Sequence, residues 1–271
     1  MVAVADHAAE LALAVDAARR AGAIQLEHYE RLERIVHKGP RDVVTEVDHL
    51  CEALILAAIR ERFPDDAIVA EESGEHRSRG GAGAHAAEGA QRSWFVDPLD
   101  GTVNYANGVP FFCVSIGLAV DGRPAVGVVF DPMRDELFSA VAGHGARLDG
   151  QPIALPDKDR IEDCLISLAM PWRGYRRREA AIRRVTRVSR NLGSAALALA
   201  YVGNGRFDIF VQLRSLSNWD VAAAGLIAEE GGATLTGPSG GDWFDAGHRG
   251  RGVSVVAAAP RHHGTVLDLL G

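Results

Sequence analysis

Residues 94–105 read WFVDPLDGTVNY. Three apolar residues run into Asp97, Pro98 stiffens the chain, and Asp100 follows immediately before Gly101 and Thr102. A buried-type strand that ends on two carboxylates constrains the fold. That end must lie where charge is solvated, hydrogen-bonded or matched by a cation.

One carboxylate at a strand end and another in the following turn can converge on a point. Like charges that close repel unless something positive lies between them. Both groups are acceptor-only hard oxygen donors, which suits Mg²⁺ or Mn²⁺. The Leu99 carbonyl can turn inward as a further oxygen. Gly101 lets the backbone approach a ligand closely, and the Gly101 and Thr102 amides, opening a helical turn, form an anion site. Carboxylates that hold metal beside amides that hold an anion make a site for a phosphate ester. Alone, the D-P-x-D-G pattern fits an Asx-type turn equally well. Two other stretches tip the balance toward a site. Glu71 and Glu72 also end an apolar strand, and Asp220 follows Trp219 at a helix start, where an N-cap is the plainer reading.

The surrounding pattern predicts a helix over 7–33, with Leu11, Ala14, Val15, Ala18 and Ala21 on one face. Gly39-Pro40 marks a turn, and a second helix starts at Thr45 or Asp48 and runs to Arg62. Strands are expected at 67–70, 93–96, 112–120, 124–130, 136–142 and 146–148, with hairpin turns at Asp121-Gly122 and Asp149-Gly150. Gly74 to Arg92 reads as a glycine-rich mobile loop. Beyond residue 155 strands at 164–169, 190–192, 208–212, 233–236 and 253–258 alternate with helices at 176–189, 195–203, 220–230 and 262–270. A meander followed by alternation predicts a layered α/β (α+β) protein of two halves, 1–155 and 156–271.

Composition narrows the function. With 271 residues, 47% hydrophobic and 24% charged, the chain can build an ordinary globular core. A net charge of -7 argues against a broad basic surface, so nucleic acid is not an expected partner. The arginine-rich run from Arg173 to Arg190 reads as a solvated helix face. Cys51, Cys113 and Cys164 are widely spaced and odd in number, which points to neither a disulfide framework nor a cysteine zinc site and fits the cytoplasm. The N-terminus lacks the basic start of a signal peptide, and no stretch offers the roughly 18 uncharged apolar residues of a membrane span. None of the ten histidines falls in a chemistry-bearing stretch.

Four blocks, in order, resemble the inositol monophosphatase family within the lithium-sensitive, magnesium-dependent phosphatases. They are KGPRDVVTEVD (Lys38 to Asp48), AEES (Ala70 to Ser73), WFVDPLDGTVNY with VPFFCVSIGLA after it, and NWDVAAAGLIAEEGG (Asn218 to Gly232). The segment GSAALALAYVGNGRFD (Gly193 to Asp208) resembles that family's substrate side. The resemblance implies a five-layer αβαβα sandwich, a homodimer, and hydrolysis of a small phosphomonoester with two or three Mg²⁺ ions, Mn²⁺ being a substitute. Glu71, Asp97 and the Leu99 carbonyl resemble ligands of a first metal. Asp97, Asp100 and Asp220 resemble those of a second, and a weaker third is expected near Glu71. Thr102 and Asp48 resemble the pair that deprotonates the attacking water, and the Gly101 and Thr102 amides the phosphate cradle. Asp100, Gly193, Ser194, Ala195, Gln212 and Asp220 fall where the family contacts substrate.

The chain departs from the family pattern at two positions. Val103 replaces a second threonine, and Gln212 stands where members acting on inositol phosphate usually carry glutamate. Inositol-1-phosphate therefore shares the field with other polyol or sugar monophosphates, histidinol phosphate and nucleotides such as 3'-phosphoadenosine compounds. A binding role toward the transcription machinery or RNA is the alternative from another class.

Overall fold

The computed structural model describes residues 7–31, 35–39, 42–76, 91–170 and 174–271. Most of the expected glycine-rich loop, 77–90, and Arg173 lie outside the described residues. The first elements are α1 (Ala8–His28), β1 (Ile35–Gly39), β2 (Asp42–Thr45), α2 (Glu46–Arg62), β3 (Ala67–Ala70), β4 (Gly74–His76), β5 (Arg92–Asp100) and α3 (Thr102–Ala106). The meander β6 (Cys113–Val120), β7 (Arg123–Asp131), β8 (Glu136–Val141), β9 (Ala146–Leu148) and β10 (Gln151–Ile153) follows. Then come β11 (Leu165–Ala169), α4 (Arg176–Val185), β12 (Val188–Arg190), α5 (Ala195–Gly203), β13 (Ile209–Leu216), α6 (Asn218–Glu230), β14 (Thr234–Thr236), β15 (Val253–Ala258) and α7 (Pro260–Leu270).

Two mixed sheets carry the fold. The larger has the order β10-β9-β8-β7-β6-β5-β3-β4 and the smaller β12-β11-β13-β15-β14, while β1 and β2 form a separate hairpin. Helices α1 and α2 cover the outer face of the large sheet, α5 and α6 lie between the sheets, and α4 and α7 cover the far side. The result is the expected αβαβα sandwich. Its apolar cores follow the layers. One, with Trp94, Ile116 and Val128, lies under α1 and α2; a second, with Phe138, Leu199 and Ile227, fills the space between the sheets; a third, with Ile166 and Val256, lies under α7. Cys51, Cys113 and Cys164 are buried free thiols. Among the described residues no helix is long and apolar enough to cross a membrane.

Local sequence explains the close packing at the centre. The inner helix α6 is apolar all round and small on the sheet side, where Ala222 and Ala223 are fully buried. A side chain at Gly127 would meet the Ala223 backbone at 2.6 Å, and one at Gly117 would meet Ala222 and Ala223 at 2.9 Å. Glycines in β6 and β7 thus let α6 sit directly on the sheet, which fixes where its N-terminal aspartate points. In α1 a face of alanines, Ala14, Ala17, Ala18 and Ala21, achieves the same on the other side.

Several boundaries differ from the sequence reading. Strands β1 and β2 pair with each other where none was expected, Pro40 of the expected turn lying outside the described residues, and β4 and β10 are further short additions. These pieces are short, and their neighbours in the ladder, not their own patterning, define them. The helix expected over 176–189 ends at Val185. Strand β13 does not stop at Gln212. It continues to Leu216 through an irregularity, with Arg214 at φ 57, and rejoins β15 at Leu216–Val253. The register shift between Gln212 and Leu216 is a bulge-like irregularity of the edge with β15. Asp220 is not an N-cap. Helix α6 starts at Asn218 behind the N-cap Ser217, which moves Asp220 to the third helical position.

Candidate active site

Strand β5 is buried from Trp94 to Asp100, with β3 parallel on one side and β6 antiparallel on the other. Parallel pairing of Ala70 with Val96 brings Glu71 and Asp97 to adjacent strand ends, and the Glu71 amide donates to the Val96 carbonyl at 3.1 Å. Between Asp97 and Asp100 the β5–β6 register slips, which turns both carboxylates to the same end of the sheet. The backbone at Gly101 has φ 96, and a side chain there would sit 3.0 Å from the Phe111 carbonyl. Only glycine suits that left-handed turn.

Asp97, Asp100 and Asp220 each place a carboxylate oxygen within 4.8 Å of the others. Each is anchored to the scaffold. Asp97 Oδ1 accepts the Leu99 amide at 3.0 Å, and Asp220 Oδ2 accepts the Ser217 amide at 2.7 Å. Asp100 Oδ2 lies at the N-terminus of α5, where it accepts the Ser194 hydroxyl and the Ala196 amide (2.7 Å). The structure thus brings Ser194 and the amide of Ala195 against Asp100, and Gly193 against the side chain of Asn104. Asn104 donates to both the Phe111 and Leu192 carbonyls at 2.7 Å, tying the two sides of the site together.

The electrostatics follow from this crowding. Burial, then Glu71, Asp100 and Asp220, hold the Asp97 carboxyl well above the usual range. Burial also raises Asp100, against the opposing pull of Ser194 and the α5 amides. Asp220 is pushed up to about 7 by burial and by Asp100, with the Ser217 amide, Asp97 and Arg251 acting the other way. Three buried carboxylates gathered this closely, each raised by burial, form a donor set short of positive charge. A hard divalent cation fits such a set.

Asp48 stands at the third position of α2. Its Oδ2 accepts the Thr45 amide (2.8 Å) and hydroxyl (2.6 Å), closing a capping box, while its Oδ1 lies 3.1 Å from the Thr102 hydroxyl. That hydroxyl is also 2.9 Å from the Leu99 carbonyl, so its single proton is shared between two acceptors. Burial, with a contribution from Glu72, raises the Asp48 carboxyl to about 6, against the lowering bonds from Thr45 and Thr102.

A cavity of about 320 Å³ opens over these groups. Glu71, Asp97, Leu99, Asp100, Gly101, Thr102 and Asp220 line one side. Gly193, Ser194, Ala195 and Gln212 line the other, with Ser215, Ser217 and Arg251. Gln212 is steadied by a bond from its Nε2 to the Ser215 hydroxyl at 3.1 Å. Sequence reasoning did not single out Asn104, Glu52 or Arg251. Glu52 was open to notice, since it repeats the helical face of Asp48 one turn on. The other two depend on contacts between distant segments.

Residues 6–270 match the inositol monophosphatase family. The chain is 37% identical over 248 residues to inositol monophosphatase 1 of Solanum lycopersicum, covering 86% of each protein. It is 35% identical over 260 residues to Nus factor SuhB of Pasteurella multocida, covering 93% of this chain and 91% of that one. Among solved structures, the extragenic suppressor protein suhB of Bartonella henselae superimposes with a TM-score of 0.86 at 31% identity, over 97% of this chain and 98% of that one. The inositol monophosphatase of Anabaena gives 0.81 at 33% identity, over 97% and 95%. A sandwich that gathers strand-end and helix-start carboxylates over one small cavity, matched along nearly its whole length, places the chain in the inositol monophosphatase family of phosphomonoesterases.

Proposed function

We propose that the protein hydrolyses inositol-1-phosphate or a related polyol or sugar monophosphate with two or three Mg²⁺ ions, Mn²⁺ serving as a substitute. The observation that carries this reading is the convergence of Asp97, Asp100 and Asp220 within 4.8 Å at the floor of a small polar cavity. Glu71, Asp97 and the Leu99 carbonyl would hold one ion, and Asp97, Asp100 and Asp220 another. When bound, these ions neutralise phosphoryl charge, acidify the attacking water and stabilise the departing alkoxide.

The chain's own groups do the rest. The Gly101 and Thr102 amides hold the phosphate oxygens, as backbone donors do where negative charge grows. Thr102 Oγ1 accepts a proton from the water while passing its own to Asp48 Oδ1, 3.1 Å away. The water oxygen forms a bond to phosphorus as the bond to the leaving oxygen breaks, and the alkoxide takes a proton from solvent. Asp100, Asp220, Ser194, Ala195, Gly193 and Gln212 border the leaving group. A neutral amide at Gln212 still accepts one hydrogen bond from a ring hydroxyl, so the polyol reading stands with the sugar, histidinol and nucleotide esters beside it.

We take 1–155 and 156–271 as the two halves of this unit, the first carrying most of the ligands and the second Asp220 and the leaving-group wall. The same reading assigns a homodimer in the cytoplasm, the compartment that suits three free, buried thiols. A second reading has a specific support: several relatives at 35% to 37% identity carry the name Nus factor SuhB. The two readings separate in one assay. Inositol-1-phosphate, sugar phosphates, histidinol phosphate and p-nitrophenyl phosphate are hydrolysed with and without Mg²⁺, and kcat/KM is ranked. Magnesium-dependent turnover, with a polyol or sugar ester leading, is expected. No turnover with any divalent metal would leave the binding role in its place.

A further inference from the structure

Glu52 lies one turn after Asp48 on the same face of α2 and is 4% exposed. Its carboxylate takes two consecutive backbone amides, Glu72 N on Oε2 at 2.8 Å and Ser73 N on Oε1 at 2.9 Å. Those amides belong to the turn that follows β3 and begins with Glu71, before the chain pairs back as β4. A helix twenty residues away in sequence therefore grips that turn through a fork of two charge-assisted hydrogen bonds.

The grip needs a carboxylate. A carboxamide of the same shape has one acceptor oxygen and would turn its own N–H₂ toward the second amide. Another acidic group here is electrostatically unfavourable, because Asp48 shares its helix face and Glu72, in the gripped turn, already raises the Asp48 carboxyl. The turn also holds Glu71 beside Asp97, close enough for their side chains to interact through both charge and a hydrogen bond. The Glu52 fork holds the two residues that follow Glu71 in that turn, beside the bond from the Glu71 amide to the Val96 carbonyl at 3.1 Å.

We propose that Glu52 is a positioning residue: through its two bonds to the Glu72 and Ser73 amides it fixes the turn that carries Glu71 and so sets the affinity of the acidic cluster for its divalent cation. This rests on the reading of Glu71 as a metal ligand. Partners that orient metal ligands are commonly worth about 10-fold to 100-fold in metal affinity.

The test is calorimetric titration of Mn²⁺ into the full-length, metal-free protein for wild type, Glu52→Gln, Glu52→Ala and Asp97→Asn, with amide hydrogen exchange of Glu72 and Ser73 alongside. Glu52→Gln is expected to weaken Mn²⁺ binding about 10-fold or more and to speed exchange of the two amides, while kcat at saturating metal stays close to wild type. Asp97→Asn is expected to abolish binding. Wild-type Mn²⁺ affinity in Glu52→Gln, with or without a lowered Tm, while Asp97→Asn has lost binding, would overturn the inference and leave Glu52 a structural clamp. Wild-type affinity in Asp97→Asn would overturn the metal site itself. Should Glu52→Ala fail to fold, the near-isosteric Glu52→Gln carries the comparison.

Discussion

At the N-terminus of α2, Thr45 caps the helix and Asp48 closes the box from the third position; at the N-terminus of α6, Ser217 and Asp220 do the same. In both, one carboxylate oxygen is fixed by a backbone amide, at 2.8 Å from Thr45 and 2.7 Å from Ser217. The difference lies opposite the second oxygen. Asp48 meets the hydroxyl of Thr102, while Asp220 meets Asp97 and Asp100. A capping box aims a carboxylate as a by-product of starting a helix. What that carboxylate does is then decided by the element it faces: a hydroxyl makes it a proton acceptor, and further carboxylates make it part of a cation site.

The largest effect expected from this contrast is at α6. Asp220→Asn keeps an acceptor for the Ser217 amide but removes a charge from the cluster. It should lower kcat/KM by about 10³-fold and sharply weaken Mn²⁺ binding, read by steady-state kinetics and calorimetry. Loss of activity with undiminished Mn²⁺ affinity would erase the distinction between the two aspartates. Asp48→Asn should behave differently. A positioned general base contributes about 10² to 10⁴ in rate, so kcat should fall by about 10²-fold with Mn²⁺ affinity unchanged. In the wild type, kcat should decline as pH falls through about 6, where Asp48 takes up a proton and can no longer accept one from Thr102, and Asp48→Asn should lose that acid limb.

The smallest effect is on stability. Asp48 rises from 3.8 to about 6 on folding and Asp220 to about 7, so folding without metal takes up protons at both. Their favourable contribution is complete below the unfolded value and is lost as pH rises through the folded ones. Thermal melts in a chelator should therefore show Tm falling between about pH 5 and about pH 8, with Mg²⁺ restoring it at the upper end and Asp220→Asn flattening the slope. A Tm that rises over that range in the chelator would contradict the charge crowding described here.

How far the sequence revealed this pair of helix starts depends on the kind of contact. The strand ending in Asp97, the turn at Gly101 and the apolar α6 are local patterns, and each appears in the structure close to where its residues place it. The blocks shared with the inositol monophosphatase family supplied what patterning could not, namely that Glu71, Asp97, Asp100 and Asp220 belong to one site. Helix starts were legible only within a few residues. Asp220 reads as a cap because the helix is expected to start at it, whereas the N-cap residue, Ser217, lies in what reads as loop. The β13 bulge escaped because one strand's pattern carries no record of its partner's register. Contacts such as Glu52 to the Glu72 and Ser73 amides, or Asn104 to Leu192, join segments whose proximity exists only after folding.

The most direct test of the account is diffraction from crystals grown with Mn²⁺, collected at a wavelength where manganese scatters anomalously. The account predicts an anomalous peak bound by Asp97, Asp100 and Asp220, with a further peak shared by Asp97 and Glu71. Crystals that bind manganese elsewhere, or not at all, with these carboxylates still gathered, would contradict it.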